Sequence, residues 1–538
     1  MGTRLRRLDT PERRAWWVSF AILFSLGVLW ALANPPTAAS DEPAHIVHAA
    51  AVARGDFFGR PLNAAQLAEF QNRYYIGSNQ GGVVDVYRSV TVPEIYDRPN
   101  PICYINHPEL SAACLDFTGP HRSTGIVSHT TKYPPAWYAW VGLPARLVSE
   151  GSRAVYVMRF AGVLLVAALL ASGVASFRRI SDSRYVMLGL LVALTPMVFF
   201  FGSVVNPSGV EIAAGLALWA SGAVLATEAR SATDGRVDAR LVARVGIAAG
   251  VLVLTRQLGP LWAAIILLVL VGLAGRQGIR VLRASRALWA WAAGVAACVI
   301  AQMAWIVWVD ALDPHNFLGA PTHEDGFTLA QKAIGLSGGE FREMIGVFGW
   351  NDTPAPAITF FMWVAALGGL AALAVAFGRR RDVVGMLVAG VATAVVPVVL
   401  FVYQSGFARW QGRYTLPLAV GVPVLAALAL RGTAIRNARG AAVVLVGVAL
   451  GAGHVLAYAQ NLRRYTVGLD GTIWFWTKEQ WSPPVSSLLL VIAFVVATAC
   501  WVAWLLSPSR GRRRVPQYET ESARVELIDA GSPVTTAP

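Results

Sequence analysis

The sequence predicts an all-α polytopic integral membrane protein, and three observations lead to this fold class. Of the 538 residues, 55% are hydrophobic, and the mean hydropathy is +0.52. Charged residues make up only 14% of the chain, well below the roughly 25% that is usual for soluble domains. Apolar runs of about 20 residues, long enough to cross a bilayer as helices, recur along nearly the whole sequence.

The N-terminal segment contains the first orientation signal. The net charge is +14, and the basic residues bracket hydrophobic segments, which is typical of topology signals rather than of a nucleic-acid surface. Residues 1–15 therefore form a basic cytoplasmic N-terminus, and residues 16–34 form the first transmembrane helix. Its apolar run is too long for a signal peptide, which predicts an uncleaved anchor, and Pro35-Pro36 ends it.

Residues 35–153 form a large extracytoplasmic loop with juxtamembrane or interfacial helices. The apolar stretch from Lys132 to Val148 is short for a span, and we expect it to be interfacial or re-entrant. Cys103 and Cys114 both lie in this loop. If the loop is exported, they are candidates for a disulfide; two free thiols are the alternative.

Residues 154–506 are predicted to form a bundle of about eleven further spans, about twelve in all. The predicted spans cover residues 154–177, 185–204, 208–227, 241–255, 258–275, 287–309, 355–377, 383–403, 414–431, 440–459 and 485–506. Lys and Arg concentrate in one set of connectors, which predicts a plasma-membrane protein with both termini cytoplasmic. The polar tail, residues 507–538, is predicted to be cytoplasmic and disordered.

A carboxylate and histidine motif follows the first span. Asp41-Glu42-Pro43 is typical of a helix start, and Asp41, His45 and His48 would then share one helix face. We interpret this motif as the catalytic corner of a membrane enzyme. A charge cap on the helix N-terminus is the structural alternative. A divalent metal ion on Asp41, His45 and His48 stays open, although the sequence shows no clear fourth ligand.

Further polar residues fall on the same predicted side of the membrane. They are Lys132, Asn206, Arg256, Trp350, Asn351, Asp352, Arg409, Gln411, Arg413 and Tyr414. Charged residues at a membrane boundary that are not orientation signals are functional candidates. Each has a structural alternative, such as snorkelling for Lys132 or a turn for Asn206, so their common side is the stronger argument.

These residue types suit one chemistry. No nucleotide sugar is available outside the cell, so a transferase there takes its sugar from a polyprenyl phosphate. Lys132, Arg256, Arg409 and Arg413 would neutralise the donor phosphate, and a carboxylate would take the proton of the acceptor hydroxyl. Substrate-lining residues would be His45, His48, Asn206, Trp350, Asn351, Asp352, Gln411 and Tyr414.

Two family resemblances rest on these motifs. The first span followed by a long outer loop that opens with Asp41-Glu42 resembles the GT-C superfamily of membrane glycosyltransferases. In addition, Lys132-Tyr133-Pro134-Pro135 is similar to the region that contacts the lipid phosphate in its aminoarabinose and mannosyltransferase branches. The chain also resembles, over roughly residues 16–506, a family of predicted membrane proteins known as domain of unknown function 2142, common in actinobacteria. The motifs that carry this second resemblance are Asp41-Glu42-Pro43-Ala44-His45, Thr195-Pro196 with Asn206-Pro207, Phe348-Gly349-Trp350-Asn351-Asp352 and Gln411-Gly412-Arg413-Tyr414.

The resemblance implies an inverting glycosyltransferase of GT-C-like fold, working on the extracytoplasmic face. Asp41 would be the base, and Glu42 its partner or an acceptor-orienting residue. The acceptor would be a cell-envelope glycan, glycolipid or protein. In that second family an Asp often follows the Asn-Pro pair; here Ser208 follows, so position 208 receives no catalytic role. One alternative is a transporter or flippase for a lipid-linked saccharide, for which Arg159, near the outer end of its span, is the main candidate charge. The other is a non-catalytic subunit of an envelope-synthesis complex.

Overall fold

A computed structural model describes residues 11–68, 87–97, 103–180, 183–311, 324–404, 410–432 and 440–507. The predicted tail from residue 508 onward and most of the predicted cytoplasmic N-terminus lie outside these ranges. The described residues are mainly helical. The helices are α1 (Pro11–Ala33), α2 (Glu42–Val52), α3 (Pro135–Ala145), α4 (Ser152–Ile180), α5 (Arg184–Ala193), α6 (Pro196–Gly202), α7 (Pro207–Ser231), α8 (Ala239–Thr255), α9 (Gly259–Arg283), α10 (Arg286–Trp308), α11 (Gly326–Gly346), α12 (Ala357–Phe377), α13 (Arg380–Tyr403), α14 (Gly412–Ala419), α15 (Gly421–Ala429), α16 (Gly440–Val467) and α17 (Ser487–Leu506).

Within the described residues, ten helical segments are long and apolar enough to cross a membrane. They are α1, α4, α7, α9, α10, α12, α13, α14 with α15, α16 and α17. The bent pair α5 and α6, which turns by 55°, makes an eleventh if it counts as one span. Helix α8 lies where the sequence predicts a short span over residues 241–255. The prediction of an all-α polytopic membrane protein is thereby confirmed.

Helix α7 is the centre of the bundle. Its apolar window is 100% buried inside the protein, whereas that of α10 is only 11% buried. A Cβ atom added at Gly215 of α7 would lie 2.7 Å from the carbonyl oxygen of Pro417. Helices α7 and α14 therefore pack backbone against backbone, as small residues allow in membrane bundles. This packing holds Arg413, at the start of α14, beside the start of α7.

The segment between α1 and α4 contains α2, α3 and a small antiparallel sheet. The sheet has the order β1 (Arg60–Pro61), β2 (Arg88–Pro93), β3 (Ser123–Ser128), with Arg88 opposite Ser128. A disulfide joins Cys103 to Cys114. Helix α3 has 11 residues and packs against α2 and α4, so it is too short to cross a bilayer.

Helix α11 lies where the sequence predicts only an outer loop, residues 310–354. Asp325 caps it by accepting from the amides of Phe327 and Thr328. The helix is too polar for a span, which is why hydropathy does not reveal it. A hairpin of β4 (Val347–Phe348) and β5 (Thr353–Pro354) follows, and its tip carries Trp350, Asn351 and Asp352.

Candidate functional site

Asp41 occupies the N-cap position of α2 in a left-handed backbone conformation, with φ 65° and ψ −4°. Aspartate is among the few residues that adopt this conformation readily. Its side chain makes no capping bond, and its carboxylate is 32% exposed. One carboxylate oxygen pairs with the guanidinium of Arg413, and the other lies 3.5 Å from Nε2 of His129. The predicted base therefore lies between two cationic or titratable groups.

These neighbours determine the protonation state of Asp41. Burial raises the pKa of its carboxyl group, but the Arg413 guanidinium and the His129 imidazole outweigh that effect and hold the pKa well below its usual range. Asp41 is therefore an ionised carboxylate at neutral pH. A carboxylate is the form that can accept a proton.

The residue before Asp41 is fixed by three distant segments. The carbonyl oxygen of Ser40 accepts from Nδ2 of Asn206 at 3.1 Å and from Nη1 of Arg413 at 3.2 Å. The Ser40 amide donates to the carbonyl oxygen of Gly349 at 3.2 Å. Asn206 also caps α7 through its Oδ1. Asn206, predicted to line the substrate, is 2% exposed and thus positions the backbone at Asp41.

Two guanidinium groups lie against one tyrosine ring. The guanidinium carbons of Arg413 and Arg256 lie 5.0 Å and 4.7 Å from the ring centroid of Tyr414, within cation–π range. Arg413 also donates to the Tyr414 hydroxyl at 3.1 Å. Tyr414 thereby joins two cations that lie far apart in the sequence.

Arg256 extends the cluster away from Asp41. It donates to the hydroxyl of Tyr133 at 3.4 Å and to Oγ of Ser208 at 3.3 Å. Its ion pair with Glu211 of α7 measures 3.2 Å, and the Glu211 side chain is 1% exposed. An unbroken series of contacts therefore runs from Asp41 through Arg413, Tyr414 and Arg256 to Tyr133.

Lys132 lies beside Arg256, but its ammonium group points elsewhere. The Lys132 carbonyl oxygen accepts from Nε2 of Gln257 at 3.3 Å and from Nε1 of Trp305 at 3.1 Å. Its Nζ donates to the carbonyl oxygen of Asp310 at 3.5 Å. Lys132, Arg256 and Arg413 thus share one end of the bundle. Arg409, the fourth predicted cation, lies outside the described residues.

Glu42 does not fit the predicted role of acceptor-orienting residue, because its side chain has no exposed surface. Its carboxylate accepts two hydrogen bonds from Arg159, both 2.9 Å long, and one from the amide of Val205. Arg159 also donates to the carbonyl oxygens of Asn34 and Pro35. Glu42 starts α2 and Arg159 belongs to α4, so this buried pair links the two helices to each other and to the end of α1.

His45 and His48 turn toward one tyrosine. Nδ1 of His45 lies 2.7 Å from the Tyr138 hydroxyl, and the His48 ring lies 4.0 Å from the Tyr138 ring. Burial lowers the pKa of His45 well below its ordinary value, although Asp41 opposes the shift. Burial also lowers the pKa of His48, to about 4. Both imidazoles are neutral at pH 7 and pack behind Asp41.

A metal-binding arrangement is not assembled by these residues. Within the described ranges, no group of three or more His, Cys, Asp and Glu side chains is arranged to hold a metal ion. Asp41 points toward Arg413, whereas His45 and His48 face Tyr138. The common helix face expected from their spacing is lost because Asp41 precedes the helix in a left-handed conformation.

The hairpin tip contacts the segments next to the site. The Asp352 carboxylate, 6% exposed, accepts from Arg464 at 3.3 Å and from the amide of Asn106 at 3.2 Å. Nε1 of Trp350 donates to the carbonyl oxygen of Thr37 at 3.2 Å, and Asn351 has a φ of 64°. The sequence predicts Asp352 as a substrate-lining residue. Its burial against Arg464 makes it a turn-stabilising residue instead.

Gln411 immediately precedes α14. The next amide, that of Gly412, donates to the Glu343 carboxylate of α11 at 2.8 Å, and Nε1 of Trp410 donates to Oγ1 of Thr415. These contacts fix the start of α14 and so the direction of Arg413. Gln411 Oε1 is buried without a hydrogen-bond partner in the described structure.

Several residues that complete the site are not among those predicted from the sequence. They are His129, Tyr138, Glu211 and Arg464. Of these, His129 had a readable signal, since it lies three residues before Lys132 in the same polar stretch. Glu211 had none, because a single carboxylate one turn into an apolar span does not reveal its partner.

Fold and site together define a multi-pass α-helical membrane protein with a charged, aromatic cluster at one end of its helix bundle. A sequence model described as predicted membrane protein (DUF2142) matches residues 24–422. The chain therefore belongs to the DUF2142 family of predicted membrane proteins. The matched range includes Asp41, His129, Arg256 and Arg413. No curated protein gives a significant match to the chain.

Proposed function

We propose that this protein is an inverting glycosyltransferase with a GT-C-like fold of about twelve spans. It moves one sugar from a polyprenyl-phosphate donor to an envelope glycan, glycolipid or protein acceptor. The observation that carries the proposal is the ion pair between Asp41 and Arg413 beside a second guanidinium, that of Arg256. A partly exposed carboxylate next to two clustered cations is what a base and a phosphate leaving group require together.

In the proposed step, the acceptor hydroxyl attacks the anomeric carbon of the donor from the side opposite the phosphate. A new carbon–oxygen bond forms there while the bond to the phosphate oxygen breaks. The acceptor proton passes to the carboxylate of Asp41. The electron pair of the broken bond leaves on the polyprenyl phosphate, whose charge Arg256 and Arg413 stabilise.

The ion pair also gives Asp41 a donor-dependent basicity. While Arg413 pairs with Asp41 alone, it holds the pKa of that carboxyl low, which makes Asp41 a weak base. A donor phosphate that binds Arg413 offsets part of this positive charge, so the pKa of Asp41 rises. Asp41 is then a better base only when the donor is bound. His129, 3.5 Å from the other oxygen, keeps the carboxylate oriented meanwhile.

The transporter alternative loses its main residue. Arg159, the candidate charge for a transport path, is 0% exposed. Its guanidinium pairs with Glu42 and donates to backbone carbonyl oxygens. A path for a charged saccharide needs polar groups that the substrate can reach. The scaffold alternative leaves the partly exposed Asp41 without a task.

The proposed orientation follows from charge. The start of α1 contributes Glu12, which pairs with Arg179 and Arg244 at the end of the bundle opposite Asp41. The basic connectors predicted from the sequence belong to that end, and this favours a cytoplasmic position for it. Asp41 and its cations then face the outside of the plasma membrane, and both termini are cytoplasmic.

The test is a linkage analysis of envelope glycans in a deletion strain complemented at equal membrane levels. Complementing genes encode the wild type, Asp41→Asn and Asp116→Asn, the last altering an exposed carboxylate in the same loop. Asparagine also tolerates the left-handed conformation, so Asp41→Asn removes the charge without straining the backbone. We expect one linkage to vanish on deletion and to return with wild type and Asp116→Asn only. Full restoration by Asp41→Asn would refute the mechanism.

A further inference from the structure

A second feature lies at the opposite end of α9 from Arg256. A groove of about 590 Å³ is lined by residues of α9 and α13. Its walls are apolar, and Leu268, with 71% of its surface exposed, and Val384, with 51%, face outward from the bundle. Arg380 and Arg381 line the same groove. An apolar groove that also contains two guanidinium groups fits a ligand that is apolar at one end and anionic at the other.

The groove exists because side chains are missing from one wall and the helix breaks beside it. A Cβ atom added at Gly272 would have nothing within 4 Å. At Gly275 helix α9 departs from helical geometry, with φ 63°, a conformation that favours glycine. The Arg381 guanidinium lies against this break. Gly272 thus leaves space in the wall of the groove, and the Arg381 guanidinium, which lies against the helix break, borders it.

The charge around the groove is one-sided. Arg230 and Arg431 lie beside Asp382, the residue after Arg381, and the carboxylate of Asp382 is only 1% exposed. Asp382 pairs with Arg431 at 2.9 Å and with Arg230 at 3.6 Å. Across the described ranges, neither Arg380 nor Arg381 pairs with a carboxylate, and both side chains are exposed. Two guanidinium groups without a carboxylate partner among the described residues therefore line the groove.

We propose that this groove binds an anionic glycerophospholipid of the surrounding membrane. The phosphate contacts Arg380 and Arg381, and one acyl chain lies in the groove along Gly272 and Val388. Basic pockets between transmembrane helices are suited to anionic headgroups, and outward-facing apolar walls suit a ligand that arrives from the bilayer. The lipid would join α9 to α13. The proposal does not depend on the glycosyltransferase function.

The test is native mass spectrometry of the full-length protein in detergent, with phosphatidylglycerol and phosphatidylcholine of equal acyl chains as probes. Arg380→Gln/Arg381→Gln removes the headgroup contacts, and Gly272→Leu fills the groove without changing any charge. The control for the charges is Arg280→Gln/Arg283→Gln, which removes two guanidinium groups at the same end of α9. The control for the glycine is Gly294→Leu in α10, where an added Cβ would also have nothing within 4 Å. Arg380→Lys/Arg381→Lys tests rescue by charge.

We expect the wild type and both controls to retain phosphatidylglycerol over phosphatidylcholine. Retention of phosphatidylglycerol should fall about tenfold or more in the double Gln variant, because both guanidinium groups that attract the anionic headgroup are removed. It should also fall in Gly272→Leu and return in the double Lys variant. Equal retention of both lipids, unchanged retention in Gly272→Leu, or displacement by millimolar inorganic phosphate would each overturn the proposal. Size-exclusion profiles without added lipid verify that every variant is folded.

Discussion

Asp41 is ion-paired with Arg413, 372 residues further along the chain. The same Arg413 donates to the carbonyl oxygen of Ser40, so one guanidinium fixes both the backbone and the carboxylate at this position. The pairing joins the start of α2 to the start of α14. The proposed base and the proposed phosphate site are therefore one structural unit.

Asp41 and His129 should act as a unit in catalysis. We expect Asp41→Asn to reduce the transfer rate by at least about a hundredfold, since it removes the proton acceptor. His129→Gln should reduce it about tenfold by loosening the carboxylate. In Asp41→Asn/His129→Gln the second change should add nothing, because residues that act together are not additive. The rate of forming the linkage lost in the deletion strain, measured in membranes, gives all three values. Additive losses would separate the two roles.

Arg413 should control the acid limb of the pH–rate profile. Asp41 acts as a carboxylate, and its lowered pKa keeps it ionised below the usual carboxyl range. Removing the guanidinium in Arg413→Gln should raise that pKa. As the pH is lowered, activity should then decline at a pH about one unit or more above that of the wild type. Purified protein in liposomes allows kcat/KM to be followed as pH is lowered.

Arg256→Gln is the matched control for the acid limb. Arg256 contacts Tyr414 and Glu211 rather than Asp41. Its loss should weaken donor binding and raise KM while the position of the acid limb stays constant. Equal shifts in the two variants would show that the pH dependence reports something other than the ion pair.

Hydropathy predicted the spans well because membrane helices must satisfy their backbone hydrogen bonds internally. It could not find α11, which is too polar to read as a span and is held by contacts such as that of Glu343 with Gly412. It also could not separate the neighbours Asp41 and Glu42. Both are carboxylates at a helix start, but only the tertiary position of Arg159 makes one of them a buried structural anion.

Asp352 was misassigned for a related reason. A carboxylate at a hairpin tip beside a tryptophan suits a sugar site, yet Arg464 of α16 turns it inward. Such a partner lies 112 residues away and leaves no trace in local spacing. The clustering of Arg256 with Arg413, in contrast, is indicated by the sequence, which predicts both residues on the same side of the membrane.

The buried pair of Glu42 and Arg159 should be a stability determinant. Glu42→Gln leaves Arg159 buried without its anion, and breaking such a pair costs about 3–5 kcal/mol. The double variant Glu42→Gln/Arg159→Met should recover much of that loss, since both charges are removed. The free energy of unfolding in detergent measures both effects.

The control for that pair is Glu94→Gln. Glu94 pairs with Arg122, whose side chain is 77% exposed, so its loss should cost less than about 1 kcal/mol. A Glu42→Gln variant as stable as Glu94→Gln, yet inactive, would return Glu42 to a role in the reaction itself.

His48 should make the protein less stable as the pH falls from 6.5 to about 4. Burial lowers its folded pKa to about 4 from the ordinary 6.5. In this window the unfolded chain takes up a proton that the native state does not bind, so stability decreases with falling pH, by roughly 3 kcal/mol at most. His48→Gln should flatten that slope, whereas His121→Gln, at an exposed position of the same loop, should leave it unchanged. His45 contributes with the same sign, so part of the slope should remain. The measurement is the free energy of unfolding across this pH range. An identical slope against pH in wild type and His48→Gln would mean that the buried imidazole is already protonated in the native state.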